Sequence, residues 1–236
     1  MLKKDLVEKN PLRVFHRDAN GNDVTTRMGL LMARAGLGKT AILVQIALES
    51  IFRGNQVLHV SIGQSLDKTR TWYDDIFKVL VEETKLEKSF EIRDDIVRNR
   101  LIMTFKESEF NRPKLEERLN DLVYQNIFRP NCLVIDGFDF ENTDRQTLTE
   151  IRELAEAMDL QIWFSAVCHR DDHRVGDDGV PAPCHEVGSL FDTVVMLKPD
   201  IDKSRLSLNV VKDSTGCIQK GKVLYLDPVT NLVKEA

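Results

Sequence analysis

No apolar run in this 236-residue chain is long enough to span a bilayer, and none follows the lysines of Met1-Leu2-Lys3-Lys4-Asp5-Leu6 as the core of an export signal would. Cysteine is scarce as well. Cys132, Cys168, Cys184 and Cys217 are too few for a disulfide framework in a chain of this size, and Cys132 lies in an apolar run that reads as a buried strand. Both scarcities point to a reducing cytoplasm and to no membrane partner. Basic charge is not in excess either: 33 Lys and Arg stand against 38 Asp and Glu, a net charge of -5. The field of the whole molecule therefore does not draw it to nucleic acid or to an anionic surface, and such contact needs a local basic patch. Internal repeats and low-complexity tracts are lacking too.

What is present suffices for a sizeable core, since 42% of the residues are hydrophobic. Residues 1–26 are polar and rich in turn formers, Asn10-Pro11 and Asn20-Gly21-Asn22-Asp23 among them, and read as a lead-in to a single domain over 27–236. In that domain short apolar runs alternate with helical patterns. Strands are expected over Met28 to Ala33, Val57 to Ile62, Leu101 to Phe105, Cys132 to Ile135, Gln161 to Val167 and Val194 to Leu197. Helices are expected over Ala41 to Phe52, Thr71 to Glu83, Leu115 to Phe128 and Leu148 to Met158. This order predicts an α/β fold, a mainly parallel twisted sheet flanked by helices. Arg205 to Val211 and Lys222 to Leu226, with Ser214-Thr215-Gly216 as turn chemistry, predict a C-terminal antiparallel hairpin. The breaker-rich stretch Asp171 to Val187 reads as a mobile loop.

The strand Met28 to Met32 runs into Ala33-Arg34-Ala35-Gly36-Leu37-Gly38-Lys39-Thr40 and then at once into a helical apolar run. That is the context a phosphate-binding loop requires. Gly36 and Gly38 let the backbone fold so that its N–H groups, from Ala35 through Ala41, point at phosphates, and the following helix adds the positive end of its dipole. Lys39 supplies a point charge for the β and γ phosphates, and the Thr40 hydroxyl is a ligand for Mg²⁺. Ala33 stands where many such loops have glycine. A second element, Asn131 to Gly137, is a buried strand ending in Asp136, which sets one carboxylate beside that magnesium ion. Asp139, beyond the strand end, suits a turn cap better.

Together these residues make the chain resemble the RecA-like ATPases, in particular the KaiC-type proteins and the DnaB-type replicative helicases, over about Arg27 to Val233. Val57 to Ser65 is similar to the second strand of that family, Gly188 to Val195 to its penultimate core strand, and Leu206 to Leu226 to its terminal hairpin. The resemblance implies a RecA-like fold, ATP and Mg²⁺ as ligands, and a homo-oligomer. It also shows departures. The glutamate that in this family ends the second strand and orients the attacking water falls at Gly63, with Gln64 beside it, and the glutamate that another branch places after the strand-end aspartate falls at Gly137. The lysine that the family sends into the neighbouring subunit matches Lys212, whereas its arginine falls at Ser214. Losing such an arginine costs roughly 10³ to 10⁵ in rate. The expectation is a protein that binds ATP and hydrolyses it slowly or with a partner, Gln64 and Lys212 being the candidate catalytic residues, in a regulatory or assembly role.

The alternative is a DNA-dependent motor of the recombinase or helicase kind. In its DNA-handling relatives the loop after Ser165-Ala166-Val167 touches single strands. Here that loop carries His169, Arg170 and Arg174 against Asp171, Asp172, Asp177, Asp178 and Glu186, and it lacks the aromatics that stack on bases. Cys168-His169, His173 and Cys184-His185 match no compact zinc spacing. Arg34 stands where ParA- and MinD-type ATPases have a signature lysine, but the second strand lacks the aspartate pattern of that class. Trp72 and Trp163 have apolar neighbours and read as core.

Overall fold

Strands that must bury both faces are written as unbroken apolar runs, and the runs before the glycine loop and before Asp136 are of that kind. In the computed structural model, which describes residues 1–16, 26–200, 205–218 and 223–236, β1 (Met28–Ala33), β2 (Val57–Ile62) and β4 (Cys132–Asp136) are buried at every position. With β3 (Arg100–Phe105), β5 (Gln161–Val167), β6 (Thr193–Pro199), β7 (Leu206–Asp213), β8 (Leu224–Leu226) and β9 (Val233–Glu235) they form one sheet in the order β3-β2-β4-β5-β1-β6-β7-β8-β9. From β3 to β6 in that order neighbouring strands are parallel, and from β6 to β9 they are antiparallel. The expected mostly parallel sheet with a C-terminal antiparallel hairpin is thus present, and β9 extends it by a strand that its short, charged sequence does not announce.

Alternation along the strands feeds two cores. Leu31, Ala33, Val134 and Trp163 face one layer, built from α1 (Lys3–Lys9), α2 (Lys39–Phe52), α3 (Leu66–Thr84) and α4 (Ser89–Arg98). Leu30, Met32, Leu133 and Phe164 face the other, built from α5 (Arg112–Tyr124) and α6 (Arg145–Ala157). α6 has the one-sided pattern of a surface helix, burying Leu148, Ile151, Leu154 and Ala155. α2 is different: every residue from Ala41 to Phe52 is buried. Its polar residues are accordingly partnered, Glu49 taking both ion-pair contacts of Arg53 Nε, at 3.0 and 3.1 Å.

The N-terminal stretch is less of a lead-in than its polarity suggests. α1 and a 3-10 turn over Pro11–Phe15 lay Leu6, Leu12, Val14 and Phe15 into the α2 core, and the Phe15 ring centroid lies 5.1 Å from that of Trp163. Trp163 is also why β1 carries Gly29, where a Cβ would come within 2.5 Å of the indole. The turn expected at Asn20-Gly21-Asn22-Asp23 and the strand start at Lys222 lie outside the described residues. The stretch from Asp171 to Val187, expected as a mobile loop, forms a loop with Asp171 to Gly179 largely exposed, while Val180, Ala182 and Cys184 are buried and Val175 bridges Pro181. No described helix is long and apolar enough to cross a membrane.

Candidate functional site

The parallel strands all end on one side of the sheet, so the turns that follow β1, β2, β3 and β4 converge there, where α/β sheets commonly hold ligands. After β1 the chain needs a backbone that L-residues with side chains rarely adopt: Gly36 has φ +77° and Gly38 φ +97°. Gly38 is the residue before α2 and gives it no side-chain cap, whereas α3, α5 and α6 are capped by Ser65, Asn111 and Asp144. The first-turn N–H groups of α2 therefore meet the cleft without a side-chain acceptor, which suits an anion. Lys39 folds back over this loop, its Nζ donating to the carbonyls of Ala33 at 3.2 Å and Arg34 at 3.1 Å. Burial lowers its pKa, and the negative charge of Asp136 works against that shift.

Asp136, at the buried end of β4, is reached from two elements. Thr40 Oγ1 donates to its Oδ2 at 2.7 Å, and Ser165 Oγ on β5 donates to its Oδ1 at 2.5 Å. Gly137 N in turn donates to Ser165 Oγ at 3.3 Å. The carboxylate forms no ion pair with any described residue. A carboxylate and a hydroxyl oxygen set side by side are the donors that hard divalent cations such as Mg²⁺ take, so the pair fits that ion. Among the described residues no group of three or more His, Cys, Asp or Glu is arranged to hold a metal; Cys168, His169, His173, Cys184 and His185 do not come together in that way.

One cleft of about 660 Å³ is lined by Ala35 to Thr40, Gln64, Asp136 and Ser165, a size usual for small-molecule sites. The structure thus brings Gln64 to the loop residues and Asp136. Ala41 lies just behind them, fully buried in α2. Asp139 does not join them. It caps its own turn, accepting from Glu141 N and Asn142 N, both at 3.1 Å. Lys212 is not in the cleft either: its Nζ donates to Gly188 O at 2.9 Å and lies 3.4 Å from Asp178 Oδ2, within its own chain. Ser214 is tied to Asp192 O through both its backbone N and its hydroxyl.

Several cleft residues escape a reading of sequence. Trp72, expected in the core, packs half-buried against it from α3 and also lines the cleft; its place in the first turns of a helix after the β2 turn was the available signal for the second role. Trp163 is core as expected. Leu226, Pro228 and Asn231 form a further wall, and a Cβ on Gly38 would meet Leu226 at 2.7 Å. Glu107, just past β3, lines the cleft too, and nothing in Lys106-Glu107-Ser108-Glu109 distinguishes it from a charged surface turn. The chain matches no protein-family model and no curated protein sequence.

Proposed function

We propose that this chain is an ATP-binding protein of the RecA-like, KaiC-like kind, a nucleotide-dependent regulatory or assembly module whose ATP hydrolysis is weak or depends on a partner. One observation carries the reading: two glycines with positive φ deliver the uncapped start of α2 and Lys39 to a cleft in which Thr40 already contacts Asp136. In this reading the loop from Ala35 to Ala41 binds the phosphates, Lys39 leaves its resting carbonyls for their charge, and Thr40 with Asp136 holds Mg²⁺. Bound magnesium would neutralise charge on the phosphate oxygens. Weak turnover is argued from Lys212 and Ser214, both engaged elsewhere in the chain, which leaves the cleft without a cation from a neighbouring subunit to stabilise the transferred phosphoryl group. A cytoplasmic setting is supported by the scarcity of cysteine and by Cys132, Cys168 and Cys184 standing without a disulfide.

The test is Mg-ATP binding and hydrolysis measured on one preparation, with Lys39→Ala as control. Saturable binding that the variant loses, with turnover near background, is the expected result. Absence of Lys39-dependent binding overturns the nucleotide reading, and turnover of several per second by the isolated protein overturns the regulatory one.

The motor alternative draws on a second cleft next to the loop, lined in part by Arg34, His169, Arg170 and Lys198. Against it, Arg174 in the same cleft is already paired with Asp172 at 2.6 Å, and Asp172 and Asp200 share the lining. Stimulation of hydrolysis by single-stranded DNA would move that reading ahead.

A further inference from the structure

The positions directly after β2 and β4 are closed to a side chain. Gly63 has φ +74° and Gly137 φ +88°, and a Cβ on Gly137 would lie 2.5 Å from the carbonyl oxygen of Ile62. What would obstruct a Cβ on Gly63 is another residue's carboxylate: Glu107 Oε1 would be 2.6 Å from it and Glu107 Cγ 3.1 Å. The space into which a side chain at 63 would grow therefore already holds an acid.

Parallel pairing explains how it arrives. Ile62 on β2 is level with Phe105 on β3, and Gly63 N still donates to Phe105 O at 2.9 Å. The two strands end together, so Glu107, at the start of the turn Glu107–Glu109, leans across the end of β2. Its neighbours Lys106 and Glu109 pair with each other at 3.2 Å. Glu107 itself makes no hydrogen bond or ion pair to any described residue, and it lines one cleft with Lys39, Thr40 and Asp136. An unpartnered carboxylate beside a phosphate-binding loop is what a general base for water requires. Gln64 cannot act so, because an amide has no basic site to take the proton.

We infer that Glu107 activates the attacking water at this site, an inference that rests on the ATP reading above. The water oxygen forms a bond to the γ-phosphorus while the bond from that phosphorus to the β–γ bridging oxygen breaks, its electron pair leaving with ADP. Glu107 takes the proton of the water and returns it to solvent after inorganic phosphate departs. The acid is thus supplied by the turn after β3, from a place where no strand-end motif would reveal it.

The experiment compares wild type, Glu107→Gln and Lys39→Ala by equilibrium Mg-ATP binding, by single-turnover hydrolysis with protein in excess, and by the identity of the nucleotide retained afterwards. Glu107 is exposed and the amide is isosteric, so the variant keeps the fold. Expected are an unchanged Kd within about threefold, a single-turnover rate lower by about 10² to 10⁴, and retained ATP where wild type retains ADP. Hydrolysis at the wild-type rate by Glu107→Gln overturns the inference and leaves the ATP reading standing, as does wild type that binds ATP and never cleaves it. Loss of binding in Glu107→Gln also overturns it, by making the residue a binding one. Wild type without Lys39-dependent binding removes both.

Discussion

His59 lies in the middle of β2 with no exposed surface. Its Nδ1 is 3.0 Å from the Tyr73 hydroxyl, its Nε2 has no hydrogen-bond partner, and Arg100 lies 4.4 Å over the Tyr73 ring. Burial pushes its pKa down to about 4, against the pull of Asp136. The folded protein refuses a proton that the unfolded chain accepts, so the contribution of neutral His59 is complete above pH about 6.5, declines as the pH falls, and is exhausted near pH 4. A depression of that size corresponds to roughly 3 kcal/mol at most. Urea unfolding midpoints of wild type should therefore fall between pH 6.5 and 4 more steeply than those of His59→Gln, which keeps a polar group for Tyr73 without the titration. Equal slopes for the two proteins would assign the acid sensitivity to other groups.

At the scale of elements, the C-terminal strands do more than extend the sheet. Gln45 is buried in α2 one turn beyond the glycine loop, where its Nε2 donates to Ala41 O at 3.0 Å and Asn231 O at 2.8 Å. Its Oε1 accepts from Val233 N at 2.7 Å. One side chain thus ties the segment between β8 and β9, which walls the cleft, to the helix that starts in it. Gln45→Ala leaves the Val233 N–H and the Asn231 carbonyl without these partners and should cost about 1 to 3 kcal/mol. Hydrogen exchange at Val233 is the local check: protection there should drop further than in β1 or β4. Uniform loss of protection across the sheet would mean that the tether stabilises the whole fold rather than the wall.

For the whole molecule, the question is association. A lysine that acts on a neighbouring subunit has to reach outward, and Lys212 instead holds Gly188 and Asp178 of its own chain. If assembly is part of the function, it has to release that contact, and the nucleotide proposed for the cleft would drive the change by binding the assembled form more tightly. Sedimentation should accordingly show a larger species with Mg-ATP than without it, and Lys39→Ala should abolish the difference. A monomer under both conditions would sink the assembly reading and leave nucleotide binding untouched.

The sequence by itself determined what depends on neighbours along the chain. Unbroken apolar runs marked β1 and β4, because strands covered on both faces tolerate little else, and β2 showed itself by its β-branched and aliphatic residues around His59 and Ser61. The glycines of the loop declared a backbone that only glycine takes easily, Asp136 declared the end of its strand, and the turn-forming sequence after Asp213 declared the hairpin. Tertiary structure decided what depends on register between distant segments. Glu107 enters the cleft because β3 pairs with β2 in one alignment, and Trp72 faces it because α3 starts beside the β2 turn. Lys212 finds Asp178 because the loop before β6 packs down onto the sheet. The polar N-terminus hides Leu6, Val14 and Phe15 within charged neighbours, a pattern that reads as surface until α2 and Trp163 supply the apolar face they cover. Local sequence carries backbone preference and burial period; it does not carry which side chains meet across strands, since that is set by the summed packing of the sheet.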